Sequence, residues 1–178
     1  MNKKCVYIIL TQTGTVMSRL LKLMYRAEYN HVSVCLNENI EPMLSFGRLN
    51  PYNAFKGGFV RESVNYGTFK RFHKTRAKIL EVTVTKEAYD NMASYIRQVE
   101  SGKENYKYNY KGLVYAFFGI HKTFENRYYC SEFVREVLLK GEKKLCDKLP
   151  SIIHPTDFLL LEHMVVYEGL LKNYSKEG

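Results

Sequence analysis

Apolar and polar positions along this chain fall into short blocks that predict an alternation of strands and helices. Val6 to Leu10 is an unbroken apolar run of strand length, which predicts a strand covered on both faces. Gly14 marks a loop. Ser18 then opens a stretch carrying Leu20, Leu21, Leu23 and Met24, which predicts a capped helix through Tyr25. From His31 to Leu36 the period is two, with Val32, Val34 and Leu36 on one face and His31, Ser33 and Cys35 on the other. Asn37-Glu38-Asn39 is turn chemistry, and a second strand follows from Ile40 to Phe46. A turn centred on Glu38 sets Ser45 opposite His31 and Glu41 opposite Cys35, all on the histidine face. That face is otherwise small, which leaves room for a helix to approach it.

Residues 47–67 are rich in Gly, Asn and Pro and read as a long functional or flap-like loop, with a short strand near Phe59-Val60. Alternation returns at Leu80, Val82 and Val84. Thr85 is placed to cap a helix from Lys86 to Val99, with Ala88, Met92, Tyr95, Ile96 and Val99 as its buried stripe. Lys103 to Lys111 reads as a tyrosine-rich surface connection, and Leu113 to Phe118 as a short helix ending near Gly119. Pro150 and Pro155 bracket a loop, Pro155-Thr156-Asp157 suits the first turn of a last helix ending at Leu160 or Leu161, and Met164 to Tyr167 suits a closing strand. Lys172 onward reads as a frayed tail. These elements make one α+β domain over residues 1–178.

The segment from Tyr128 to Leu138 carries the chemistry. Counting from Cys130, apolar residues recur at Phe133, Val134, Val137 and Leu138, the stripe of an amphipathic helix. Cys130 stands in the first turn on the inward stripe. The positive end of the helix dipole favours thiolate there, and the free N–H groups of the same turn can hold an oxyanion. The competing reading is a small buried cysteine that fills a core gap.

Charge widens the list of partners. The 178-residue chain carries a formal +9, which would attract nucleic acid, anionic lipid or an acidic polymer. Phe69 to Arg76 is the densest basic stretch. Its interleaved aromatics suit base stacking or the inward side of a strand. With the charges spread along the whole chain, a solvated basic surface is the favoured reading. The apolar run ending at Leu10 is too short for a secretory signal and no segment is long enough to span a bilayer, so a cytoplasmic location is expected. Cys5, Cys35, Cys130 and Cys146 form no CxxC pair and no zinc spacing, and are expected as free thiols. No P-loop, dinucleotide fingerprint, HExxH or GxSxG occurs, so neither a metal nor a cofactor is expected.

A thiol nucleophile needs a base, and the base needs an orienting partner. Of the five histidines, His73 and His121 lie in polar stretches, His154 suits a helix cap and His163 the core edge. His31 is the candidate base. Ser45 has position in its favour as orienter and Glu41 has charge. Tyr128 and Tyr129 precede the cysteine and can line a pocket, although packing is the commoner task.

Histidine strand, polar strand and cysteine helix occur in that order, the reverse of ordinary papain-like folds. The pieces Asn30-His31-Val32-Ser33-Val34, Leu44-Ser45-Phe46-Gly47-Arg48 and Tyr129-Cys130-Ser131-Glu132-Phe133-Val134 resemble the circularly permuted, YiiX/YebB-like branch of the NlpC-type papain-like amidases. Lecithin–retinol acyltransferase-like proteins share the layout. The resemblance implies an antiparallel sheet packed against the cysteine helix, Cys130 as nucleophile, His31 as base, and a third polar residue on the strand after the histidine strand. Many relatives use a glutamate there; the matching segment Leu44-Ser45-Phe46 holds no acid. With Tyr128, Tyr129 and Arg48 as candidate substrate contacts, the implied activity is hydrolysis of an amide or ester in a small peptide, amino-acid conjugate or acylated substrate. The alternatives are an acyltransferase on the same fold, a catalytically weak ligand-binding module, and a binder of anionic polymer or membrane surface.

Overall fold

The computed structural model describes residues 3–13, 28–120, 122–141 and 152–175. The expected Ser18–Tyr25 helix, His121, Cys146 and Pro150 lie outside them. Strand β1 (Lys3–Gln12) is the axis of a six-stranded antiparallel sheet. Its partner on one side is β2 (His31–Cys35), followed by β3 (Met43–Asn50) and β4 (Asn53–Glu62). On its other side lie β5 (Arg76–Thr85) and β8 (Met164–Leu170). The apolar run Val6–Leu10 is buried throughout because each face of the sheet is covered.

One face carries Val6, Ile8, Leu10, Val32, Val34, Leu44 and Phe46 and is covered by α2 (Lys86–Ser101) and α4 (Cys130–Lys140). The other carries Tyr7, Ile9, Cys35 and Met43 and is covered by Phe69 from α1 (Gly67–Arg71) and by Leu171. The Thr85 hydroxyl caps α2, accepting the Ala88 N–H at 3.1 Å. The expected stripe on α2 is the one buried, with Tyr95 half-buried. A small parallel pair, β6 (Lys107–Tyr108) and β7 (Arg127–Tyr128), flanks α3 (Tyr110–Phe117) and leads into α4.

Four expectations change. Residues 47–62 are not a flap. They form the outer hairpin β3–β4, which turns at Pro51-Tyr52, and its glycines sit inside strands where neighbours press close. The helix expected after Pro155 is a 3₁₀ turn, Pro155–Leu160. The tail past Lys172 is held at Tyr174, whose hydroxyl donates to the Glu38 carbonyl at 2.7 Å and whose ring packs on Tyr167. The Phe69–Arg76 stretch is not an inward strand run: it ends α1, turns, and enters β5, with Phe69 buried and Lys70, Arg71, His73, Lys74 and Arg76 exposed.

Candidate active site

Helix α4 docks through Phe133, which meets Phe46 of β3 at 5.3 Å and Phe59 of β4 at 5.7 Å between ring centroids. Such aromatic pairs add about 0.5–1.5 kcal/mol each beyond their buried area. The helix start is held as well. The Glu132 carboxylate accepts the Tyr129 N–H at 3.0 Å, closing the first turn. It also accepts from Asn109 Nδ2 at 3.0 Å, while Asn109 Oδ1 accepts the Gly112 N–H and so caps α3. One buried asparagine thus ties two helix N-termini together, and Cys130 stands at the second of them.

Cys130 and His31 lie within hydrogen-bonding reach of each other, although they are far apart in sequence. They arrive from opposite faces. Cys130 belongs to the valine face with α4, whereas His31 stands on the histidine face near Phe69, and they meet where β2 begins. The expectation that α4 approaches the small histidine face is therefore corrected: Val32, Val34 and Phe46 provide the apolar footing that the helix stripe needs.

The small face has another use. His31 Nε2 sits 3.0 Å from each carboxylate oxygen of Glu62, at the end of β4. Ser33 Oγ donates to Glu62 Oε2 at 2.5 Å and lies 3.3 Å from the same ring nitrogen. Glu62 is paired with Met43, so its side chain reaches across β3 to β2. Gly47 lies under this contact: a Cβ there would press on Val60 Cγ2 at 3.3 Å and touch Glu62 Oε1 at 3.5 Å and His31 Cε1 at 3.7 Å.

Electrostatics follow from this packing. Burial disfavours the His31 imidazolium, but the Glu62 carboxylate and Cys130 outweigh it and hold the imidazole pKa well above its usual range. Burial likewise opposes the Cys130 thiolate. The His31 hydrogen bond and charge, the Val32 N–H and the Ser131 hydroxyl outweigh it, and the thiol falls below its ordinary value. At Cys35 burial outweighs the backbone hydrogen bonds of Asn37 and Leu36, no imidazole is there to help, and the thiol is pushed up to about 11. Cys5, Cys35 and Cys130 are all free thiols.

The orienters expected from sequence are displaced. Val34 pairs with Leu44, which slips the β2–β3 register by two residues from the expected one and preserves the face while moving Ser45 off His31. Ser45 Oγ donates instead to the Val32 carbonyl at 2.8 Å. Glu41 accepts from the Ser63 hydroxyl at 2.8 Å and the Val64 N–H at 3.1 Å, tying down the chain after β4. Tyr128 and Tyr129 both pack against their neighbours. The Tyr128 ring lies on Phe46 and Tyr106 and its hydroxyl accepts from Tyr95, while Tyr129 is buried. Arg48 lies near Tyr108, Tyr110 and Arg71, and burial first and the Arg71 charge next lower its pKa.

Sequence reasoning missed Glu62, Tyr108 and Asn109. The signal for Glu62 was present: Phe59, Val60, Arg61 and Glu62 alternate, so Val60 and Glu62 share a face once the hairpin is recognised. Tyr108, treated as surface, stands by the nucleophile, where its phenol is kept protonated by burial first and by the charge of Cys130 next. Among the described residues no cluster of His, Cys, Asp and Glu is arranged to hold a metal ion, and no helix is long and apolar enough to cross a membrane.

With known proteins, the chain shows no match to a family model, to a curated protein or to a solved structure. What is defined is the class: an α+β chain with an antiparallel sheet and a thiol, an imidazole and a carboxylate gathered at one end of it.

Proposed function

We propose that this chain is a cysteine hydrolase of permuted papain-like architecture, cleaving an amide or ester through an acyl-enzyme on Cys130. The observation that carries the reading is the line Cys130–His31–Glu62: a thiol against an imidazole whose far nitrogen is held by a carboxylate. A buried structural cysteine has no use for that arrangement, and the weak-binder alternative loses the missing acid that favoured it.

The roles follow from the geometry. Glu62 holds Nε2, so the proton exchanged with sulfur is carried on Nδ1. The Cys130 thiolate attacks the carbonyl carbon, and the backbone N–H at the start of α4 stabilises the oxyanion. His31 gives its proton to the leaving amine or alcohol as the C–N or C–O bond breaks, leaving a thioester. It then takes a proton from water, whose oxygen attacks the thioester. The carboxylic acid leaves and the thiolate–imidazolium pair is restored. An acyl group trapped on Cys130 by rapid acid quench from an amide or ester panel, and its absence in His31→Ala, is the expected result. Turnover persisting in Cys130→Ala would end the proposal.

A further inference from the structure

On β3, the strand next to the histidine strand, is a cation that pairs with no carboxylate among the described residues. Arg48 Nη2 is buried with no hydrogen-bond partner among the described residues. Such donors are rarely left unsatisfied in a folded protein unless a ligand or water completes them. The groups around it do not balance its charge: the Tyr108 and Tyr110 phenols are neutral and the Arg71 guanidinium is like-charged, with no carboxylate among them. Arg71 is itself engaged, donating to the Pro51 carbonyl and stacking on Tyr52 at 4.3 Å.

The surroundings are built to hold Arg48 in place. Its register partner on β4 is Gly57, and a Cβ there would stand 2.8 Å from Tyr108 Cβ and 2.9 Å from Tyr110 Oη. Only a glycine lets both tyrosines press on the hairpin beside the guanidinium. Strand alternation turns Arg48 to the same face as Phe46, the face covered by the Cys130 helix, whereas its neighbour Gly47 lies by the His31 ring. Tyr108 joins the two places: it presses on Gly57, the register partner of Arg48, and pairs across β6–β7 with Tyr128, two residues before Cys130. The desolvated guanidinium and the neighbouring Arg71 lower the Arg48 pKa, a penalty that an anionic partner would relieve.

We propose that Arg48 is the specificity residue of this site and that its half-buried guanidinium, flanked by Tyr108 and Tyr110, pairs with a carboxylate on the substrate acyl group. The proposal rests on the thiol-hydrolase reading and names its substrate class: amides or esters whose acyl portion carries a free carboxylate a few atoms from the scissile carbonyl, as in an acidic amino-acid conjugate or peptide. A planar guanidinium matches a carboxylate through two parallel N–H···O bonds, which lysine cannot reproduce.

The test needs no known substrate. Iodoacetamides whose nitrogen bears carboxymethyl, carboxyethyl or carboxypropyl groups are compared with their uncharged carboxamides, reading Cys130 alkylation by mass spectrometry in the full chain. The carboxylate of one chain length is expected to react at least tenfold faster than its carboxamide in the wild type. That ratio should fall toward the solution value in Arg48→Met and be partly kept in Arg48→Lys. Circular dichroism checks that both variants fold, and the Arg48→Lys ratio decides the matter if Arg48→Met does not. A charged-to-neutral ratio that is the same in wild type and the folded Arg48 variants overturns the carboxylate proposal and leaves the hydrolase reading standing. Parent iodoacetamide reacting no faster with wild-type Cys130 at pH 6 than with Cys5 overturns the hydrolase reading itself, and the proposal with it.

Discussion

Replacing Glu62 by glutamine removes a charge and almost nothing else, and so tests whether the carboxylate sets the state of the thiol. Glutamine keeps an acceptor for His31 Nε2 and for the Ser33 hydroxyl. What is lost is the attraction between a carboxylate and an imidazolium held 3.0 Å apart, with side chains 10% and 15% exposed. Unit charges about 4 Å apart at an effective dielectric of about 20 interact by ~4 kcal/mol. Solvent screening and the hydrogen bond that glutamine retains reduce the net loss to about 2 kcal/mol, in the range for hydrogen bonds to charged groups. At about 1.4 kcal/mol per pKa unit this lowers the imidazolium pKa by roughly 1.5 units. The sign at sulfur follows. His31 becomes harder to protonate, the thiolate loses its counter-charge, and the apparent pKa of Cys130 rises. The direct relief of Glu62–thiolate repulsion acts the other way but is the lesser effect, because the imidazole stands between them. The assay is the rate of Cys130 alkylation by iodoacetamide from pH 4 to 10, read by mass spectrometry. The profile is expected to move up by about one to one and a half units, with at least a tenfold loss of rate at the acidic end. A profile unmoved within about 0.3 unit would mean that Glu62 braces the imidazole without polarising it, and the triad argument would fail.

Other consequences are open to measurement. In the wild type, Cys130 should alkylate well below the ordinary thiol range because a lowered pKa leaves more thiolate at any given pH, while Cys35, raised to about 11 by burial, should stay unmodified through neutral pH. Gly47→Val should wedge between Val60, Glu62 and His31, costing about 1–3 kcal/mol in urea unfolding and raising the Cys130 alkylation pKa. Phe133→Ala removes a fully buried ring against Phe46, Phe59 and Tyr128, and a loss of about 3–5 kcal/mol in urea melts is expected. Asn109→Ala uncaps α3 and frees the Glu132 carboxylate, so about 1–2 kcal/mol should be lost, with a slower Cys130 alkylation as the helix start loosens.

Local patterning made much of this protein legible. Strands β1, β2 and β5, the helix from Lys86 and the helix from Cys130 are written in runs, alternations and stripes, because burial of one face requires those periods whatever the partner is. The residue types for thiol chemistry, Cys130 at a helix start and His31 at a strand start, were legible for the same local reason. Tertiary structure decided the partners. A hairpin with glycines at 47, 57 and 58 reads as a loop until one sees that each glycine admits a neighbouring side chain. The two-residue slip between β2 and β3 removed Ser45 from the imidazole, and Glu62 reached it from β4, which lies outside β3. Alternation along one strand states which face a residue takes. It carries no information about which side chain, from a strand two places away or a helix on the other face, will be waiting there, since that depends on register and on the volume the intervening residues leave empty.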